Sequence, residues 1–242
     1  DPAGIADAVI DADVIGFIEM HIEQGPVLEN ENLRLAVVEG IAGQTRLQLT
    51  FKGQANHAGT TPMHLRRDAL AAAVEWMSEV EQMAQSTDGL VATVGKIATE
   101  PNAANVIAGK VTLSLDLRHI DDEARSGSLT ALKKIAGAIT TMRGIELECV
   151  EKMNQPSVHM DERLVERLLS AAKAAGFPAK RMPSGAGHDA MVMVARVPTA
   201  MLFLRSPGGI SHHPAEAVLE EDVEAALLVG RKFLEQLAAD VR

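Results

Sequence analysis

From residue 111 to residue 118 apolar and polar positions alternate without a break. Val111, Leu113, Leu115 and Leu117 fall on one face, and Thr112, Ser114, Asp116 and Arg118 on the other. A period of two is that of a strand with one buried face, and it predicts a strand over 106–118. Leu47, Leu49 and Phe51 repeat the pattern against Arg46, Gln48 and Thr50. Residues 89–97 and 145–150 are shorter strand-like runs. An Ala-rich run over 67–83 predicts a helix, with Thr61 as its N-cap and Pro62 at its first position. Leu129, Leu132, Ile135 and Ile139, spaced by three and four, predict a second helix over 121–142. From residue 44 the order is therefore β-α-β-β-α-β, that of an α+β ferredoxin-like sandwich.

The flanks read differently. After a short helical or loop lead-in, residues 15–21 and 33–38 are strand-like, and Gly40 and Gly43 suit a hinge. Beyond Asn154-Gln155-Pro156, a helix over 164–175 is stopped by Gly176 and Pro178. A turn over 183–187 leads to His188-Asp189 and another helix. Residues 199–204 form a buried-type strand, and 220–241 an amphipathic helix. No internal repeat or low-complexity segment interrupts this order. The pattern predicts an α/β domain made of residues 1–43 and 156–242, interrupted by the sandwich domain over 44–155.

Composition narrows the function classes. The net charge of -10 supplies no basic stripe for nucleic acid, and aromatics are 2% with no Tyr, so base-stacking platforms are missing. The longest apolar stretch, over 191–204, is broken by Arg196 and Pro198, which argues against a membrane span. Asp1, Asp7, Asp11 and Asp13 have the wrong charge for a signal peptide. A lone Cys149 permits no internal disulfide and fits a reducing compartment. Cys149 sits in a strand-like run and reads as a core residue rather than a nucleophile. These features together describe an acidic cytoplasmic protein.

Several of the eight histidines stand in polar, Gly-rich or Pro-rich turns, where ligands and catalytic groups usually ride. His21 ends a strand in His-Ile-Glu-Gln-Gly-Pro and reads either as a metal ligand or, more commonly for such spacing, as a hydrogen-bonded turn histidine. His212, in Ser-His-His-Pro-Ala-Glu, has the same two readings. Adjacent histidines on an extended segment point opposite ways, so one of His212 and His213 can face a site. His57, in Asn-His-Ala-Gly-Thr-Thr-Pro, precedes the expected helix start, where an oxyanion can be held, although a capping loop is the commoner case. Arg118 can clamp a carboxylate through two hydrogen bonds, or pair with Asp116 on the sheet surface. His188-Asp189 is open between a catalytic dyad and a cap, and Glu23 and Glu216 are equally ambiguous. The Gly-x-Ser-x-Gly, phosphate-loop and dinucleotide fingerprints are absent.

The segments HIEQGP at His21, GIAGQTR ending at Arg46, NHAGTTPMHLRRDA from Asn56, NVI at Asn105, DLRH at Asp116, SGAGHDA at Ser184 and GISHHPAE at Gly209 occur in one order along the chain. This ordered set resembles the amidase and carbamoylase branch of the M20 metallopeptidase superfamily. The resemblance implies a hydrolase with two divalent metal ions (zinc, manganese or cobalt) in an α/β catalytic domain carrying an inserted lid that forms a homodimer. It implies that His21 and His212 are metal ligands, that His57 stabilises the tetrahedral oxyanion, and that Arg118 grips a substrate carboxylate. Gln24, Gln44 and Asn105 match substrate-side positions, and the lid residues are expected to serve the partner subunit's site.

The motif variants around Gln44 and His57 favour allantoate as the ureido substrate, with ammonia and carbon dioxide as products. N-carbamoyl amino acids, a peptidase or aminoacylase activity, and a non-catalytic oligomerisation or binding module are the competing readings. The family's other ligands and its general base belong upstream of HIEQGP, and the twenty residues before His21 hold no such motif. The expectation is therefore an incomplete catalytic domain and an inactive fragment.

Overall fold

The computed structural model describes residues 2–7 and 9–240. The chain forms two compact units, one from the segments ending at Ile41 and starting at Val158, the other spanning Ala42–Ser157. The first unit opens with a 3-10 segment, Pro2–Asp7, then β1 (Phe17–Ile22), a single helical turn α1 (Val27–Asn30) and β2 (Leu35–Ile41). The second unit comprises β3 (Gly43–Lys52), α2 (Ala69–Ser86), β4 (Val91–Thr93), β5 (Ile97–Glu100), β6 (Lys110–His119), α3 (Asp122–Arg143) and β7 (Glu146–Gln155). The first unit then resumes with β8 (Val158–His159), α4 (Glu162–Ala174), β9 (Ala179–Ser184), α5 (Ala190–Met193), β10 (Thr199–Leu204) and α6 (Glu220–Asp240). Val241, the expected last residue of the final helix, lies outside the described residues.

In the first unit β10 is central. It runs parallel to β1 and antiparallel to β2, which pairs in turn with β9 in parallel and with β8 antiparallel. All six β10 residues are buried, the signature of a strand covered on both faces. Leu164, Leu168 and Ala171 of α4 and Ala226, Val229 and Phe233 of α6 belong to the same core. The sequence pattern missed β8 and β9. β8 is two residues long, and Ala-Lys-Arg-Met-Pro-Ser carries no apolar period, so backbone pairing to β2 alone makes β9 a strand. Pro183 and Ser184, expected in a turn, end that strand.

The second unit is an antiparallel sheet in the order β4-β6-β3-β7, with β5 also on β6. Leu47, Leu49 and Phe51 join Val111, Leu113, Leu115 and Leu117 beneath α2 and α3, whose Trp76, Leu132 and Ile139 complete the core. The run over 89–97 is two strands rather than one. They are separated at Val94-Gly95-Lys96, where Ser114 Oγ accepts the Lys96 N–H at 3.1 Å. The strand expected from residue 106 begins at Lys110. Cys149 is exposed on β7, correcting the core reading: β7 closes one side of the sheet, where its side chains are only partly covered.

The start of α2 also departs from the sequence reading. Asp68 caps it, its carboxylate accepting the Leu70 and Ala71 N–H groups. Pro62 instead leads into a 3-10 turn, Met63–Leu65, and the Thr61 hydroxyl donates to the His57 carbonyl at 2.8 Å. The reason is a close backbone approach: Gln54 N–H donates to Arg67 O at 2.8 Å, and a Cβ on Gly53 would lie 2.0 Å from that oxygen. Residues before Asp68 are thereby held in a connection, and the helix cannot begin sooner.

At the entry to the second unit Gly43 has no room for a side chain. A Cβ there would lie 2.4 Å from Asp122 Oδ1 and 2.7 Å from Ser157 N. Asp122 accepts the Ser157 N–H and pairs with buried Arg125 at 2.8 Å, while Arg125 also donates to Asn154 Oδ1 at 2.9 Å and to the Thr45 hydroxyl. The first and last strands of the unit are thus tied to one guanidinium. Among the described residues, no helix is long and apolar enough to cross a membrane.

Candidate active site

Strand periodicity places Glu19 and His21 on one face of β1, two residues apart. The chain returns to that face after β9, where the segment following Ser184 brings in His188. The His21 and His188 rings meet edge-on with centroids 4.6 Å apart. Donor atoms from Glu19, His21 and His188 all lie within 4.8 Å of one another. Glu19 Oε2 accepts the Ala190 N–H at 2.8 Å, which fixes the carboxylate against the start of α5. His21 Nδ1 donates to Ile22 O at 2.8 Å. His188 Nε2 lies 2.7 Å from Ser184 Oγ, and its Nδ1 is buried without a partner. Burial, and after it the neighbouring His21, pushes the His188 pKa down to about 4, so this imidazole is neutral at pH 7.

The sequence reading found His21, left His188 open and did not single out Glu19. The signal for Glu19 was available in the Glu-x-His spacing on a strand. Asp189 makes no side-chain cap on α5, so the capping reading fails. His212 is exposed with φ +56°, its N–H donating to Glu216 Oε2 at 2.8 Å, and it is not part of the Glu19–His21–His188 group. Gln24 also has a left-handed backbone, φ +59°, and anchors a loop: its N–H donates to Ser206 Oγ and its amide to Ser211 Oγ. Glu23 is buried and accepts the Val27 and Leu28 N–H groups, which makes it the cap of α1.

A second group lies within the second unit. His57 and Asn105 share one structure: the Ala58 N–H donates to Asn105 O at 2.9 Å, and His57 bridges Val106. No helix starts beside His57, since α2 begins at Ala69, so a helix N-terminus does not supply its anion chemistry. The ring itself offers a donor. Its Nδ1 accepts the Gly59 N–H at 3.1 Å, so in neutral His57 the proton sits on Nε2 as a donor.

Arg118 pairs with Asp116 through Nε at 2.7 Å and Nη2 at 3.0 Å, and Arg46 reaches the same carboxylate at 2.9 Å. Burial raises the Asp116 pKa, but the hydrogen bonds from Arg118 and Arg46 outweigh it and hold the carboxyl below its ordinary range. Two guanidiniums against one carboxylate leave this patch with a net positive charge. Gln44 stands opposite Arg118 across the β3–β6 pair. Its amide donates to Gln155 Oε1 at 3.0 Å, while its own Oε1 is buried without a partner.

The model of peptidase family M20/M25/M40 matches residues 3–238. The chain belongs to that family. It is 42% identical over 252 residues to allantoate deiminase 2 of Glycine max, covering 93% of this chain and 52% of that protein. It is 38% identical over 206 residues to the N-carbamoyl-L-amino-acid amidohydrolase of Paenarthrobacter aurescens, covering 85% of this chain and 50% of that protein. A crystal structure of a hydantoinase/carbamoylase family amidase from Burkholderia multivorans superposes with a TM-score of 0.88 at 36% identity, over 90% of this chain and 54% of that one. The chain spans about half the length of the curated relatives it matches.

Enzymes of the M20 family are generally dependent on two metal ions. The donor set of the first unit fits a divalent metal: two imidazoles, one with an orphaned buried nitrogen, and a carboxylate oriented by a backbone N–H.

Proposed function

We propose that this chain provides metal- and substrate-holding residues of an amidohydrolase that cleaves a ureido C–N bond, with allantoate as substrate. The observation that carries this reading is membership of the M20 family at 42% identity to a protein named for allantoate. In the proposed reaction water adds to the ureido carbonyl and one C–N bond breaks to leave a carbamic acid, whose remaining C–N bond then breaks, so ammonia, carbon dioxide and the substrate's amine are released. His21 holds metal, with His212 as a ligand of the second ion. When bound, such ions would supply the charge that lowers the pKa of water and polarises the carbonyl. His57 donates from Nε2 to the oxygen that becomes negative when the carbonyl turns tetrahedral. Arg118 holds the substrate carboxylate, supported by the net positive charge it shares with Arg46 and Asp116. Gln24, Gln44 and Asn105 orient the polar ureido groups.

On the same reading the segment 44–155 is a ferredoxin-like lid inserted in an α/β catalytic domain made of 1–43 and 156–242. The protein is then a cytoplasmic homodimer joined through that lid. Hydrolysis of N-carbamoyl-L-amino acids is the second reading, favoured by the 38% identity to the Paenarthrobacter enzyme.

A substrate panel separates the readings. In a polypeptide carrying this chain at the full length of its relatives, ammonia release from allantoate is expected to exceed that from N-carbamoyl amino acids by at least tenfold in kcat/KM. The reverse ratio transfers the assignment to the carbamoylases. Turnover of dipeptides alone removes the ureido reading, and no turnover at all favours a non-catalytic module.

A further inference from the structure

The loop that carries His57 lies on the surface of the second unit. His57, Gly59, Thr60 and the residues from Pro62 to Leu65 are exposed, so packing contributes little to its order. Hydrogen bonds do the work instead. The Thr61 N–H and hydroxyl both donate to His57 O, at 3.2 and 2.8 Å. The carbonyls of Ala58 and Thr61 are taken by one side chain. Arg66 Nη2 donates to Ala58 O at 2.5 Å and Nε to Thr61 O at 3.0 Å. The 3-10 turn Met63–Leu65 returns the chain so that half-buried Arg66 can reach back to these carbonyls. A planar guanidinium holds two acceptors in a fixed relation, and its charge strengthens both bonds. Between the two held carbonyls stands Gly59, whose N–H meets His57 Nδ1 at 3.1 Å. A Cβ on Gly59 would lie 3.3 Å from His57 Cε1, so the ring rests close against the backbone that Arg66 fixes.

We propose that Arg66 is a positioning residue for His57. By clamping the carbonyls on either side of Gly59, it keeps the Gly59 N–H on Nδ1 and leaves Nε2 as an aimed donor. A donor to a developing negative charge acts best when its orientation is set beforehand. Without the clamp the exposed loop samples other conformations and the ring is seldom aimed. The catalytic part of this role rests on the oxyanion reading of His57 given above, and two readouts keep the two apart.

The first readout is nuclear magnetic resonance of the 242-residue chain. Arg66→Ala is expected to speed hydrogen exchange of the Gly59 amide about tenfold or more. The two nitrogen-15 shifts of neutral His57 are expected to converge as the Nδ1–H tautomer gains population. The second readout is steady-state hydrolysis of allantoate by the full-length polypeptide. Arg66→Ala is expected to lower kcat about ten- to a hundredfold, with KM changed by less than about twofold. Arg66→Lys keeps the charge and loses the planar fork, so it is expected to fall between the two in both readouts. It also serves as the second variant should Arg66→Ala not fold. Gly59 exchange and His57 shifts unaltered in both variants overturn the proposal. A loosened loop with unchanged kcat upholds the clamp and overturns the oxyanion role of His57 instead.

Discussion

Arg118→Ala is expected to lower kcat/KM for allantoate by about two to three orders of magnitude in the full-length polypeptide, mostly through a raised KM. Truncating one partner of a hydrogen-bonded charge pair costs about 2–5 kcal/mol, and this range sets the size of the effect. Arg118 is held by two bonds to Asp116, itself shared with Arg46. Removing Arg118 leaves one guanidinium against one carboxylate, so the patch loses its net charge as well as a rigid fork of donors. Arg118→Lys keeps the charge and is expected to recover only part of the loss, because an ammonium cannot reproduce two parallel bonds. Steady-state kinetics on both variants check this. Unchanged KM and kcat in Arg118→Ala would make the residue a purely structural partner of Asp116.

Trp76→Ala is expected to destabilise the second unit by about 3–5 kcal/mol, the range for deleting a large aromatic side chain from a close-packed core. Trp76 is fully buried on α2, packs against Phe51 with ring centroids 6.3 Å apart, and donates from Nε1 to Leu132 O on α3 at 3.0 Å. It therefore joins the sheet and both helices. Trp76→Phe keeps most of the apolar volume and is expected to cost about 1–2 kcal/mol, reflecting the lost hydrogen bond and a small void. Urea unfolding followed by circular dichroism gives both values. A midpoint unchanged in Trp76→Ala would mean that the two helices are held to the sheet by other contacts.

The strands with one buried face were legible because period-two alternation leaves its mark in sequence. β6 shows it at every position, and β3 nearly so. The same logic failed for β9, where Lys180 and Arg181 stand between Ala179 and Met182 and pairing to β2 is the organising force. The cap of α2 was misplaced because Thr61-Pro62 is a sound local start signal. A nonlocal contact, Gln54 with Arg67 O, overrides it.

At the candidate site the pattern is similar. His21 and His57 were visible as histidines in turns, and the pairing of Arg118 with Asp116 was one of two readings kept open. The meeting of His188 with His21 could not be read, since the two are far apart in sequence and joined only by the fold. Glu19 was overlooked because a carboxylate beside a hydrophobic run looks like an ordinary solvated residue. Its i, i+2 relation to His21 was the usable clue.

Chelation separates metal-dependent hydrolysis of a ureido bond from a metal-free route. Ammonia release from allantoate is measured in the full-length polypeptide before chelation, after removal of metal and chelator, and after return of Zn2+ or Mn2+. Nearly all activity is expected to be lost and to recover with the returned metal. Ammonia release that persists at its original rate in the metal-free protein would contradict metal dependence.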